Sequence, residues 1–511
     1  MAKNSAKLKR PLIEVRKIKK FFPLKRNTFL SRGQIYVRAV EDVTFDIYKG
    51  ETFGLVGESG CGKSTLGRII LQLYPPTSGS AVYFGTKPED MDLHYIVNEI
   101  KKLPKYQKHA IDRYNKSLRY DEQIINLKKE IASIETTEIV DKSYNAKVKR
   151  VEKLSYLSRE MKKEASRQLR EASRTVGSLI LEENIEEIKE LLLQASDLVK
   201  HNSGILEGLN GQEWEGMNPK AKVLFDKIIE FKGKNTLAIT ERTLDKKYQN
   251  KLESNRETGL NLARLDYEEM RHLRRKLQII FQDPYSSLDS RMTVGQIIGE
   301  AVVEHNMYKK GSKELENYIL ETMKKCGLDP YMLHRFPHQF SGGQRQRIGI
   351  ARSLALKPEF VVCDEAVSAL DVSIQSQIIN LLMELKNNED LTYLFISHDL
   401  SVIKHISDRI GVMYLGNMVE LGLSEEIYEN PLHPYTKALL SAIPTTDEIK
   451  KDRIILEGDI PSNIFPPSGC KFRTRCPLAT DKCTKVVPDY REINPGHFVA
   501  CHYYEKTKDM K

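Results

Sequence analysis

The sequence predicts an α/β protein. A domain of parallel strands is split by a mainly α-helical insertion and followed by a small cysteine-bearing extension. Three observations predict this. A glycine-rich loop, Gly57-Glu58-Ser59-Gly60-Cys61-Gly62-Lys63-Ser64-Thr65, stands between an apolar strand and a helix. Unbroken apolar runs end in polar groups of catalytic type, as parallel strands buried on both faces do. From Lys105 to Val176 there is neither glycine nor proline, and Lys, Glu, Arg and Ser dominate.

The loop lies after Thr52-Phe53-Gly54-Leu55-Val56 and before Leu66-Gly67-Arg68-Ile69-Ile70-Leu71. A strand–loop–helix turn aims backbone N–H groups inward, and the helix start adds partial positive charge. Gly57, Gly60 and Gly62 permit the unusual backbone angles and let phosphate oxygens approach. Lys63 is expected on the β- and γ-phosphates of ATP and Ser64 on Mg²⁺.

Length and composition limit the rest. The chain has 511 residues, enough for about three domains on the usual length prior. No apolar run approaches the ~20 residues a membrane span needs. The N-terminus lacks a signal-peptide core, so a cytosolic protein is expected. Seven sparse cysteines argue against a disulfide scaffold. The net charge is +10, and residues 2–40 hold twelve Lys/Arg against the single acid Glu14. This arm suits an anionic surface or a solvated edge; it lacks the aromatic interleaving of a single-strand binder.

In chain order, Leu12-Ile13-Glu14-Val15 reads as a strand, followed by a basic turn ending in Phe21-Phe22. Phe22 is the candidate for stacking on adenine, with Phe21 the alternate. Strands follow at Tyr36–Val40 and Val43–Ile47, then Ser80–Phe84 after the loop helix. Residues 86–261 form the insertion, with 33 basic and 30 acidic side chains. Ile124, Leu127, Ile131 and Ile134 recur at helical spacing, as do Val151, Leu154, Leu157 and Met161, and Ile180–Val199 repeats the pattern. A helical hairpin or small bundle without a catalytic grouping is expected, His201 and Trp214 standing alone.

The αβ pattern resumes near Leu265. Lys276–Phe281 is a strand ending at Gln282, and a helical stretch covers residues 294–335. Phe340-Ser341-Gly342-Gly343-Gln344 opens a helix, a second anion-binding N-terminus. The strand Phe360–Cys363 ends in Asp364-Glu365, Ser368-Ala369-Leu370-Asp371 follows, and the strand Thr392–Ser397 ends at His398. Asp364 is expected in the Mg²⁺ shell with Ser64 and Gln282. Glu365 is the expected general base, assisted by His398 and Gln282.

These motifs, in this order, resemble the ATP-binding subunits of ABC transporters. The resemblance implies a RecA-like core with an antiparallel β subdomain and a helical subdomain. It also implies a head-to-tail dimer in which Ser341, Gly342, Gly343, Gln344 and Asp371 of one subunit close on nucleotide held by the other. Phe340 replaces the commoner leucine, and Ala366 replaces the usual proline.

Phe281–Leu288, Arg291–Val294, Pro337–Phe340, Ala369–Gln375, Tyr414–Glu420 and Asn430–Thr436 narrow the resemblance to oligopeptide/dipeptide importers, most closely the ATPase usually listed last in such operons. It covers roughly residues 11–85 and 262–505; residues 86–261 have no counterpart in ordinary members. The division expected is 1–85 and 262–430 for the ATPase domain, 86–261 for the insertion and 431–511 for the extension. The resemblance implies a second ATPase, two membrane permeases, an extracellular peptide-binding protein, no nucleic acid, and a place on the cytoplasmic face of the membrane. Soluble ABC ATPases of translation or DNA repair are the competing class.

Cys470, Cys476, Cys483 and Cys501 fall in a proline-rich, strand-poor tail, with Lys471, Arg473 and Arg475 nearby. The spacing departs from a CxxC zinc ribbon. Some similar importer ATPases hold a [4Fe–4S] cluster here, so the resemblance favours that over zinc or free thiols.

Overall fold

A computed structural model describes residues 11–24, 34–86, 91, 93–135, 142–199, 201, 204–209, 211, 217–257, 259–443 and 454–509. Trp214 and the basic residues within 2–10 and 25–33 lie outside them. The chain forms two compact units. One comprises Met1–Gly85, Asn261–Ala263 and Met270–Lys511, the other Thr86–Leu260 and Arg264–Glu269.

The first unit holds two sheets. In the smaller, β1 (Pro11–Pro23) lies between β2 (Tyr36–Tyr48) and β4 (Ser78–Tyr83), antiparallel to both. Sequence reading expects a turn after Val15 and a break at residues 41–42, but both strands continue. Lys17 (φ 47°) and Asp42 (φ 59°) take left-handed backbone and absorb extra residues as bulges. Thr44 Oγ1 accepts the Lys17 N–H at 3.0 Å, so the bulge stays bonded.

The short β5 (Leu260–Asn261) belongs to the smaller sheet; the larger contains β3 (Thr52–Val56), β6 (Leu277–Ile280), β7 (Phe360–Asp364), β8 (Thr392–Ile396), β9 (Arg409–Tyr414), β10 (Asn417–Leu423), β11 (Arg491–Asn494) and β12 (His497–Val499). Their order is β11-β12-β10-β9-β3-β8-β7-β6. From β9 to β6 the pairs are parallel, and every residue of β3, β7 and β8 is buried. The helix α1 (Lys63–Ile70) leaves β3 at the centre.

The tail departs from its strand-poor reading. β12 pairs antiparallel with β10 and extends the ATPase sheet. Gly496 turns the β11–β12 hairpin at φ 79°, and buried His497 meets the buried Glu420 carboxylate at 2.9 Å. The 294–335 stretch is two helices, Val294–Glu304 and Lys313–Lys325, parted near Gly311 (φ 75°).

The second unit is helical. The long helices α2 (His94–Glu135) and α3 (Lys142–Val176) pack along each other. Ile185–Leu198 buries Ile188, Leu191 and Leu192, and Pro219–Glu230 buries Phe225 and Ile228. Among the described residues no helix is long and apolar enough to cross a membrane.

Candidate active site

The phosphate loop leaves a fully buried strand. Gly57 has φ 149° and Gly62 φ 102°. A Cβ on Gly57 would meet Met413 O at 2.2 Å, and one on Gly62 would meet Ala39 O at 2.1 Å. Glycine is therefore required there by carbonyls of β9 and β2 as well as by any phosphate. Gly62 is the N-cap of α1 and provides no side-chain cap, so the first N–H groups of α1 remain available to an anion. Lys63 is buried, its Nζ donating to Gly57 O at 2.7 Å and Glu58 O at 3.2 Å. Burial raises the Cys61 thiol pKa. Ser64 and Thr65 follow in the first turn of α1.

The expected catalytic side chains converge. Gln282 Nε2 donates to Glu365 Oε2 at 2.8 Å, and His398 Nδ1 lies 3.5 Å from the same oxygen. They come from the C-terminal ends of β6, β7 and β8, the edge where ligands bind in open α/β sheets. Glu365 sits at φ 49°, its N–H bonded to Ile396 O at 3.0 Å. A left-handed non-glycine residue is strained by about 1–2 kcal/mol, a strain that here turns the carboxylate off the strand end.

Asp364 is fully buried. Its Oδ2 accepts from Arg68 Nη2 at 3.2 Å, while its Oδ1 has no hydrogen-bond partner. An orphaned oxygen on a buried carboxylate is costly unless something satisfies it, and a divalent cation fits that requirement.

Ser341 caps the helix Gly342–Leu354, where its hydroxyl accepts the Gln344 N–H at 3.3 Å and Gln344 Oε1 accepts the Ser341 N–H at 3.1 Å. Asp371 caps the helix Val372–Glu389 without a side-chain bond and is exposed. Among the described residues no hydrogen bond or ion pair joins Ser341–Gln344 to the phosphate loop of the same chain. Phe22 rests edge-on against Tyr74, ring centroids 5.7 Å apart, with Lys20 Nζ 4.9 Å above its ring.

Cys470, Cys476, Cys483 and Cys501 line one small, mostly apolar cavity with Phe472 and Leu478. All four are free thiols, and Cys470 N–H donates to Cys483 O at 2.8 Å. Burial pushes Cys476 up to about 12 and Cys501 up to about 11, with the neighbouring cysteines adding to both. Such thiols ionise readily only beside a cation.

Sequence reasoning missed Arg68 against Asp364, and it missed the contacts of Tyr435, Asn463 and Arg475 with the phosphate loop. Only the basic residues flanking Cys476 hinted at the last. In the helical unit His94 Nδ1 lies 3.3 Å from Asp266 and 3.4 Å from Glu269, two residues that lie beyond the 86–261 insertion read from sequence. There the Glu269 carboxylate accepts the N–H groups of His94 and Asp266, so it caps chain turns.

Known proteins match this arrangement. The ABC transporter family matches residues 40–189 and 232–368, and the oligopeptide/dipeptide transporter C-terminal region matches residues 419–483. The putative oligopeptide transport ATP-binding protein YkfD of Bacillus subtilis is 53% identical over 502 residues, covering 98% of this chain and 97% of the relative. AppF, an oligopeptide transport ATP-binding protein of the same organism, is 34% identical over 496 residues, covering 96% and 97%. OppF of Escherichia coli, likewise named, is 51% identical over 246 residues, covering 48% and 73%. The chain belongs to the ABC transporter family as an ATP-binding ATPase that carries the oligopeptide/dipeptide transporter C-terminal region.

Proposed function

We propose that this chain is the ATP-hydrolysing subunit of an importer of oligopeptides, acting peripherally on the cytoplasmic face of the cell membrane. It pairs head-to-tail with a second ABC ATPase, a paralogue, and the pair drives two permeases supplied by an extracellular peptide-binding protein. The observation that carries this reading is the shared Glu365 carboxylate oxygen, met by Gln282 and His398 at the strand ends beside the phosphate loop. Lys63 and the loop N–H groups hold the triphosphate, and Phe22 stacks on adenine. Ser64, Gln282 and Asp364 hold Mg²⁺, which supplies charge neutralisation to the phosphoryl group. Glu365 takes the proton of the attacking water, His398 orients it, and Ser341, Gly342, Gly343, Gln344 and Asp371 complete the partner's site.

Residues 1–85 and 262–430 are assigned to the ATPase domain, 86–261 to the insertion and 431–511 to the extension. Cys470, Cys476, Cys483 and Cys501 are proposed ligands of a [4Fe–4S] cluster. Four thiols lining one cavity suit a group that cysteines ligate, and the choice of [4Fe–4S] over zinc rests on the resemblance. Iron and sulfide content after anaerobic purification tests this; a colourless, iron-free folded protein sinks it.

Co-purification of the tagged chain from its native membrane tests the transport reading. Two polytopic permeases and a second ATPase are expected. Recovery of ribosomes or DNA would instead favour the soluble class, while growth on dipeptides or nickel uptake would move the substrate.

A further inference from the structure

We infer that Arg475 is a positioning residue for ATP: from the cysteine-bearing extension it grips the Glu58 carboxylate and so fixes the phosphate loop. The inference rests on that loop being the ATP site. Arg475 Nη1 and Nη2 lie 2.7 Å and 3.0 Å from the two Glu58 carboxylate oxygens. The side chains are only 8% and 21% exposed. A bidentate guanidinium–carboxylate pair fixes direction as well as distance, more firmly when shielded from water.

Two more contacts act on the same loop. Glu58 N–H donates to Tyr435 Oη at 2.9 Å, and Asn463 Nδ2 donates to Gly60 O at 3.1 Å. All three holding residues follow Asn430, outside the motifs that define the nucleotide site.

Arg475 is itself anchored. Its N–H donates to Phe472 O at 3.0 Å, and Phe472 is buried against the rings of Tyr414, His433 and Tyr435. Lys471 ties the same turn to Glu41 at 2.9 Å and to Asn417. The guanidinium therefore stands where the turn between Cys470 and Cys476 places it.

A loop with glycines at positions 57, 60 and 62, all at positive φ, has much conformational freedom to lose. Holding it in shape before ATP arrives lowers the cost of binding without touching Glu365 or Gln282. ATP affinity should then depend on Arg475 while the chemical step does not. By linkage, ATP should in turn steady the extension.

The test is calorimetric ATP binding to the full chain with Mg²⁺, for Arg475→Gln, Arg475→Lys, Glu58→Gln and the Arg475→Gln/Glu58→Gln pair. The double variant leaves no unpaired buried charge and guards against misfolding. Each Gln variant is expected to bind ATP about tenfold more weakly, about 1.4 kcal/mol. The pair should be weakened about as much as either single variant, and Arg475→Lys should recover part of the loss. ATP should slow hydrogen exchange across residues 466–483 in the wild-type chain but not in Arg475→Gln. A folded double variant that binds ATP as the wild type does, or single effects that multiply, would overturn the inference. Lys63→Ala separates the two readings: if it still bound ATP like the wild type, the assignment of the ATP site would fail first.

Discussion

The ATPase unit and the helical unit handle charge in opposite ways. In the first, Asp364 is wholly buried with one orphaned oxygen, Lys63 is buried among carbonyls, and Glu365 holds a left-handed backbone. The orphaned Asp364 oxygen is unfavourable until a ligand satisfies it, and the Glu365 strain persists because the surrounding sheet holds it. In the helical unit many ion pairs sit at the surface, as between Lys162 and Glu241 (36% and 65% exposed) or Lys227 and Glu187 (54% and 46%), and its buried carboxylates are met by the chain itself, Glu182 by the Gly233 and Asn235 N–H groups and Glu257 by Arg264. Its His94–Asp266–Glu269 group serves helix starts. A buried carboxylate left with an orphaned oxygen thus marks where the chemistry lies, and buried carboxylates already met by the chain mark where it does not.

The largest effect should come from Glu365→Gln. Loss of a general base lowers turnover by about 10²–10⁴-fold, while ATP binding should survive because the loop is untouched. Turnover at the wild-type rate would remove Glu365 from its role. The matching break in the other unit is Leu192→Ala, in a fully buried position on Ile185–Leu198. Such truncations cost about 2–5 kcal/mol, seen as a lowered calorimetric transition with ATP affinity unchanged. If ATP affinity fell in parallel, the two units would share one stability and the contrast would dissolve.

How much was legible follows the same division. The phosphate loop, the convergence of Gln282, Glu365 and His398, and the parallel strands could be read because each needs a fixed residue type at a fixed offset. The long helices of the insertion could be read from apolar spacing alone. Bulges at Lys17 and Asp42 could not, since a residue with positive φ amid β-forming neighbours looks like a turn. The edge hairpin Arg491–Val499 was hidden for another reason: its partner Glu420 lies far away in sequence. Arg475 was seen only as a basic neighbour of Cys476, because no local pattern tells which distant carboxylate a guanidinium meets.

A smaller effect should separate the units by pH. Burial raises the Glu51 carboxyl to about 6 from its ordinary 4.5, opposed by Arg409 at 3.3 Å and the Tyr48 N–H at 2.7 Å, with Asp408 adding to the rise. The native state thus holds this proton more tightly than the unfolded chain. Its contribution is present below pH 4.5 and is lost as pH rises through 6, about 2 kcal/mol in all. Glu51→Gln cannot lose a proton. The melting temperature of this variant relative to wild type should therefore rise between pH 4.5 and pH 7, in the ATPase transition alone. A pH-independent difference would show that Arg409 already compensates the buried charge.

The smallest expected effect completes the contrast. Lys162 lies 3.0 Å from Asp121 and 2.9 Å from Glu241, joining α2 to a distant loop of the helical unit. Two partners on one ammonium form more than an isolated pair, yet all three side chains are at least a third exposed (36%, 34% and 65%). Water and salt screen pairs of this kind, and exposed ones are worth about 0.2–1 kcal/mol. Lys162→Ala should therefore lower the helical transition by no more than about 1 kcal/mol, and by less still at high salt. The same variant should leave ATP binding and turnover unchanged. A loss of several kcal/mol that persisted in salt would mean that these three charges are shielded from water in the folded protein.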